Sequence, residues 1–188
     1  MNTGIIATRY ATALLKLVEE TGSGDVVAAQ VQVIEKALDE VPEFRRAVDD
    51  PAVSVVRKIS LFEAALKDSM AQELRKFLEL LIRNGRIGDV RLIFTTFINE
   101  YYRSRHIKRA RLVVADSALL NLGSTLESRL RDLIEKQTGC RLILKTEVNP
   151  SLIGGFVFEV EDTVLDASVS RQLDVIRHQF IEKNRRIV

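Results

Sequence analysis

The chain has no tryptophan, one cysteine, two histidines and three prolines in 188 residues. Each scarcity excludes something. A lone Cys140 cannot close an internal disulfide, which suits a reducing compartment. Next to Gly139 at the start of an apolar run, it reads as a small buried filler. With only His106 and His178, far apart in sequence, no zinc-type ligand spacing is available. No apolar run approaches the roughly 20 residues of a membrane span. The N-terminus lacks a basic region followed by an apolar one, so no secretory signal is expected. Neither G-x-x-x-x-G-K-S/T nor G-x-G-x-x-G occurs, so both standard phosphate-cradling loops are missing.

Charge of one sign is also lacking. There are 28 basic and 26 acidic residues, and the balance is local: residues 1–105 carry 15 of each, and 106–188 carry 13 basic and 11 acidic. A global electrostatic case for nucleic acid is therefore poor. What is abundant is aliphatic: 46% of the chain is hydrophobic but only 6% is aromatic. Helices packed by Leu, Ile, Val and Ala are the expected core.

Helical periodicity runs through the first hundred residues. Asn2 or Thr3 can cap a helix over 4–20 with Ile6, Tyr10, Ala13, Leu14 and Leu17 at helical spacing, ended by Thr21-Gly-Ser-Gly24. Asp25 is placed to cap a second helix, with Val27, Val31, Ile34 and Leu38, that stops at Pro42. A short helical turn spans Phe44 to Val48, and Ser54 opens a helix with Val55, Ile59, Phe62 and Leu66. Residues 70–84 carry Leu74, Phe77, Leu78, Leu81 and Ile82, closed by Asn84-Gly85. Asp89 is placed to cap a sixth segment with Ile93, Phe94, Phe97, Ile98 and Tyr101. Short connectors predict an N-terminal six-helix bundle over residues 1–104.

The stretch 103–111 is the most basic, with five Lys/Arg in nine positions, and reads as a solvated linker or an edge that meets an acidic partner, at the domain boundary. Beyond it, Arg111–Ala115 predicts a strand, and Asp116 or Ser117 begins a helical region. Ser124 with Glu127 offers a capping box, and Leu126, Leu130, Leu133 and Ile134 supply a stripe. Arg141–Val148 predicts a second strand, with Leu142, Leu144, Thr146 and Val148 on one face and Ile143 on the other. Phe156–Val160 and Thr163–Leu165, separated by Glu161-Asp162, predict a tight hairpin. Asp166 or Ser168 then caps a last helix, about 168–185, carrying Val169, Leu173, Ile176 and Phe180. The order β, α, β, β, β, α makes residues 105–188 a small α+β domain, so the chain is mostly α. Glu159, Glu161, Asp162 and Asp166 cluster at the hairpin. Alternation puts Glu159 and Glu161 on a solvated face, and capping explains Asp166, so no acid–base pair is expected there.

The run Pro150-Ser-Leu-Ile-Gly-Gly, an apolar strand, a short turn, Val-Leu-Asp-Ala-Ser-Val169 and a helix with Leu173 resembles the C-terminal signature of the delta subunit of bacterial F-type ATP synthase, the OSCP/delta family. Arg9-Tyr10-Ala11-Thr12-Ala13-Leu14 resembles that family's opening helix. One departure is Ala167, where the family usually has glycine, which leaves the turn geometry open.

The resemblance implies a non-catalytic stator subunit with no cofactor and no metal. It implies that residues 1–104 bind the α (and β) subunits of the catalytic head, and residues 105–188 the b subunits of the peripheral stalk. It also implies a location on the cytoplasmic face of a bacterial membrane, held there only through the complex. A groove between the first and fifth helices would receive the N-terminal segment of an α subunit, with Ala7, Tyr10, Ala11, Leu14, Leu74, Leu78 and Leu81 as expected contacts. On the stalk side the expected contacts are Phe156, Phe158, Val164, Leu165, Val169 and Leu173. The alternative is a helical adaptor of another assembly, or an RNA-associated protein using residues 103–111.

Overall fold

The computed structural model describes residues 3–67, 69–115, 118–161 and 163–185. The protein is mostly helical, with a small mixed four-stranded sheet in its C-terminal part. It divides into two compact units, Met1–Ser104 and Arg105–Val188.

In the first unit, α1 (Thr3–Thr21) packs chiefly against α6 (Val90–Ser104), and α2 (Gly24–Glu40) packs against the same helix. Three further helices, α3 (Pro42–Asp49), α4 (Val55–Ala65) and α5 (Gln72–Arg83), complete it. Local chemistry sets the ends. Val41 is extended at φ −120° because it precedes Pro42, and Pro42 then starts α3 at its first turn. The Ser54 hydroxyl accepts from the Arg57 N–H and caps α4. At the end of α5, Gly85 has φ +64°, and the amides of Gly85 and Arg86 donate to Ile82 and Leu81 at 3.0 and 2.8 Å. That pair of bonds satisfies two carbonyls that helix termination would orphan.

Three local expectations are corrected. The Asp25 side chain makes no cap: Ser23 occupies the cap position of α2, and the Asp25 carboxylate accepts the Tyr101 hydroxyl at 2.6 Å. The buried stripe of α1 is Ala7, Ala11, Leu14 and Val18, not one through Ile6, Tyr10, Ala13 and Leu17. Small side chains let α1 approach α6 closely, so the alanine face turns inward. Asp89 ends a short 3-10 turn, Ile87–Asp89, just before α6, and its carboxylate pairs with Arg86 at 3.6 Å. The proposed cap at Asn2 lies outside the described residues.

In the second unit, β1 (Ile107–Val114) and β2 (Arg141–Val148) pair in parallel through the crossover helix α7 (Ala118–Thr138). Two antiparallel strands follow, β3 (Phe156–Val160) and β4 (Thr163–Asp166), giving the order β2-β1-β3-β4. The chain ends on α8 (Val169–Arg185). Ala110, Leu112, Val114, Leu142 and Phe158 form the core on one sheet face, against Leu130 and Ile134 of α7.

Here too the structure corrects local readings. The basic stretch is not a linker: the strand begins at Ile107 and lies inside the sheet, because charges on its outer face find carboxylates on neighbouring strands. Glu127 lies inside α7, which begins at Ala118, and accepts the Thr146 hydroxyl; the side chain of Ser124, its expected capping partner, lies outside the described residues. Asp116 and Ser117 lie outside the described residues. Cys140 is half-buried in the α7–β2 turn, its amide and thiol bonded to Thr138, rather than a core filler.

Candidate docking surfaces

In the first unit the structure sorts the residues expected to meet a partner. Ala7, Ala11, Leu14, Leu74, Leu78 and Leu81 have no accessible surface. They pack in the core of this unit, where α1 lies on α6 and α5 lies between α1 and α4. Tyr10 is different. It is half-buried at the seam of α1 and α5, edge-on to Phe77 with ring centroids 6.4 Å apart, and its hydroxyl accepts from Asn84 Nδ2 at 3.0 Å. By helical spacing Ile6, Ala13 and Leu17 share its side of α1, and all keep accessible surface. Leu80 of α5 is 46% exposed. By helical spacing it shares a side of α5 with Phe77 and Asn84, the two partners of Tyr10, while Leu74, Leu78 and Leu81 face the core.

Gln30 clamps the approach to α5. Its amide accepts from the Ala71 N–H at 2.9 Å and donates to the Ser69 carbonyl at 2.5 Å, which ties the α4–α5 loop to α2. Sequence reasoning passed over Gln30, and no local pattern marks it, since both partners lie about forty positions away.

In the second unit, Phe158 is core, while Phe156 and Val169 are half-buried. Val164 and Leu165 on the edge strand are 60% and 53% exposed, and Leu173 on α8 is 51% exposed. Val175 and Ile176 are exposed beside it. Helix α8 from Arg171 to His178 keeps all its side chains in solvent, an uncovered amphipathic element.

The turn before α8 explains the signature residues physically. Ser168 is buried, and its hydroxyl accepts from the Arg171 N–H at 3.2 Å. Asp166 Oδ1 accepts from the Ser168 N–H at 2.9 Å. The Ser168 hydroxyl and amide, helped by Arg171, hold the Asp166 carboxyl below its ordinary range. Gly155 has φ +76°, and a Cβ there would lie 2.2 Å from the Ala167 carbonyl oxygen. A Cβ on Gly154 would meet Val169 Cγ2 at 2.9 Å. The glycine pair thus admits the β4–α8 turn against β3, and Ala167 fits without being glycine.

The outer sheet face carries a charge ladder. Arg111 Nε and Nη2 donate to Glu159 at 2.9 and 3.0 Å, and Arg111 Nη1 reaches Glu147 at 3.5 Å. Lys145 Nζ lies 2.8 Å from Glu147. The bonds and charge of Glu159 raise the Arg111 pKa, and Lys145, then Arg111, lower that of Glu147. Lys108 pairs with Glu161 at 3.1 Å and Arg103 with Glu100 at 3.2 Å. Glu159 and Glu161 are therefore partners of the basic stretch, not merely solvated groups. Among the described residues, no cluster of three or more His, Cys, Asp and Glu side chains stands together to hold a metal. No described helix is long and apolar enough to cross a membrane.

Two units, each with its own uncovered apolar surface, define a docking protein. The comparisons assign it further. The family model described as ATP synthase delta (OSCP) subunit matches residues 6–180. The chain is 32% identical to ATP synthase subunit delta of Phocaeicola vulgatus, across the whole of both chains. It is 31% identical to subunit delta of Bacteroides thetaiotaomicron, again across both. Its fold matches a chain of the Toxoplasma gondii mitochondrial ATP synthase hexamer with TM-score 0.64 at 22% identity, covering 93% of this chain and 97% of that one. The chain belongs to the ATP synthase delta (OSCP) subunit family. It is a non-catalytic, peripheral-stalk subunit of the proton-transporting ATP synthase, attached to the membrane through the complex.

Proposed function

We propose that the chain is a two-ended tether. In this reading the helices of residues 1–104 act as one six-helix platform that holds the α/β head, and residues 105–188 hold the b subunits. The observation that carries it is the presence of an uncovered apolar surface on each unit: Tyr10, Ala13, Leu17 and Leu80 at the α1–α5 seam, and Val164, Leu165, Leu173 and Ile176 on β4 and α8. An α-subunit N-terminal helix would lay its apolar face on the seam, spaced as i, i+3, i+4 anchors. Its torque role is mechanical. A turning rotor would drag the head with it unless the head were anchored, and a tether under load needs slow dissociation, which buried apolar contacts supply. The complex would sit on the cytoplasmic face of a bacterial membrane. The RNA-associated alternative loses its support, because Arg103, Lys108 and Arg111 each face a carboxylate within the chain.

The test is reconstitution of ATP-driven proton pumping from head, membrane sector and full-length chain. Leu80→Glu should weaken capture by the head, and Ile176→Glu should weaken capture by the stalk. Either should uncouple pumping while the head keeps hydrolysing ATP. Wild-type coupling by both variants would overturn the two-ended reading.

A further inference from the structure

Helix α5 carries the exposed Leu80 and both partners of Tyr10, so whatever fixes α5 fixes the α1–α5 seam. Its own sequence fixes it weakly. At 12 residues it is marginal without its neighbours. Its cap position is Ala71, and no side-chain cap bond forms there. Alanine ranks far below Ser, Thr, Asp and Asn at a helix start, because it offers no acceptor to the orphaned amides of the first turn.

Other helices supply what α5 lacks. From α2, Gln30 Oε1 accepts from the Ala71 N–H at 2.9 Å, while its Nε2 donates to the Ser69 carbonyl at 2.5 Å. In a capping box, a Glu or Gln at the third helical position makes the bond to the cap amide. Within α5 that position is Leu74, which is fully buried and apolar, so the bond comes from a different helix. The Ala71 carbonyl in turn accepts from the Arg75 N–H at 3.0 Å, the first link of the α5 ladder. The Ser69 hydroxyl donates to the Leu66 carbonyl at 2.7 Å and ties the same loop to the end of α4. At the far end of α5, Tyr10 of α1 takes the Asn84 amide at 3.0 Å. Each end of α5 is thus held by a side chain from another helix, and the one at its start stands on α2, which is not part of the seam.

We propose that Gln30 is a positioning residue for head binding, acting through α5 without touching the head; this rests on the reading of the α1–α5 seam as the head-binding surface. Its two bonds use both ends of one planar amide, so they fix the direction of the chain entering α5 as well as its distance from α2. Gln30 is half-buried, so water competes less for these bonds than at an open surface. A helix whose first turn is set in advance meets its partner without a further ordering cost. A helix with a frayed first turn presents the seam only part of the time, and apparent affinity falls by that fraction.

The experiment measures the affinity of the full-length chain for the isolated α/β head, together with thermal melting and hydrogen exchange. Gln30→Met keeps the length of the side chain and loses both bonds. It should weaken head binding about tenfold and speed exchange at the Ala71 and Arg75 amides. Gln30→Glu keeps an acceptor for the Ala71 N–H beside the positive end of α5, so it should recover most of that affinity. Val48→Ala, a core truncation on α3, should lower the melting temperature at least as far and leave head affinity unchanged. Wild-type affinity in Gln30→Met would overturn the positioning role. Equal losses of affinity in Gln30→Met and Val48→Ala, or no recovery in Gln30→Glu, would also overturn it and leave Gln30 a contributor to stability alone. Leu80→Glu, measured alongside, separates the two readings: wild-type affinity there would overturn the seam as the head-binding surface, and this proposal with it.

Discussion

The Tyr101 hydroxyl donates to Asp25 Oδ1 at 2.6 Å, while its ring lies so close to Gly24 that an added Cβ would come within 2.8 Å of Cε2. Tyr101 is almost wholly buried. One residue of α6 thereby fixes the start of α2 through both packing and a charge-assisted bond. Gly24→Ala should destabilise the first unit by about 1–3 kcal/mol through overpacking. Tyr101→Phe should cost about 1–2 kcal/mol through the lost bond. The double variant should lose less than the sum, because the two sites share the ring. Urea denaturation followed by helical circular dichroism measures all three, and unchanged stability of Gly24→Ala would mean that the ring is not seated there.

Two glycines with similar positive φ should behave differently. Gly85 has φ +64° and open space where a Cβ would go, so Gly85→Ala should cost about 1 kcal/mol from backbone strain alone. Gly155 has φ +76° and the Ala167 carbonyl 2.2 Å from the added atom, so Gly155→Ala should cost more than about 3 kcal/mol. Hydrogen exchange read unit by unit would show the second loss confined to residues 105–188.

Acid should find Asp166. Its folded pKa is depressed, first by the Ser168 hydroxyl and amide and then by Arg171. A depressed carboxyl contributes stability that is present above its unfolded value, about pH 3.9, and is lost as pH falls through the lower folded value. Melting of wild type and Asp166→Ala should therefore differ most at neutral pH and converge below about pH 4. A constant difference down to pH 2 would assign the role of Asp166 to packing.

Neighbouring leucines on α5 should separate docking from folding. Leu78 is fully buried, so Leu78→Glu should unfold the first unit, at more than about 4 kcal/mol. Leu80 is exposed, so Leu80→Glu should leave stability within about 0.5 kcal/mol of wild type. The latter should still lose affinity for the head about tenfold. Full head binding by Leu80→Glu would move the docking surface off the α1–α5 seam.

Much of the mostly helical fold and the mixed sheet was legible in the sequence, because the signals are local. Pro42, Ser54 and Gly85 act within one helical turn of themselves. The β3–β4 hairpin follows from alternation over residues 156–165, and Ser168 caps the helix behind it. The docking surfaces were less legible. An exposed leucine and a core leucine on one amphipathic helix are hard to tell apart by spacing, so Leu78 and Leu80 differ only once α1 and α4 are in place. Ile153 stands inside the signature run 150–155, but no local pattern marked its positive φ, which arises in a turn closed by the Gly154 N–H on the Leu152 carbonyl.

The sequence by itself determined which segments become helix and strand, their order along the chain, and the family, since these rest on periodicity and short motifs. Tertiary structure decided which helix face became core. Ala7 and Ala11 turned inward because small side chains permit close approach of α6, and no hydrophobicity pattern ranks alanine above Ile6 or Leu17. It also decided the fate of the basic stretch. Arg111 is part of an interior strand because Glu147 and Glu159, 36 and 48 positions away, stand opposite it in the assembled sheet. Charge pairing across strands depends on register, and register exists only after the chain has folded.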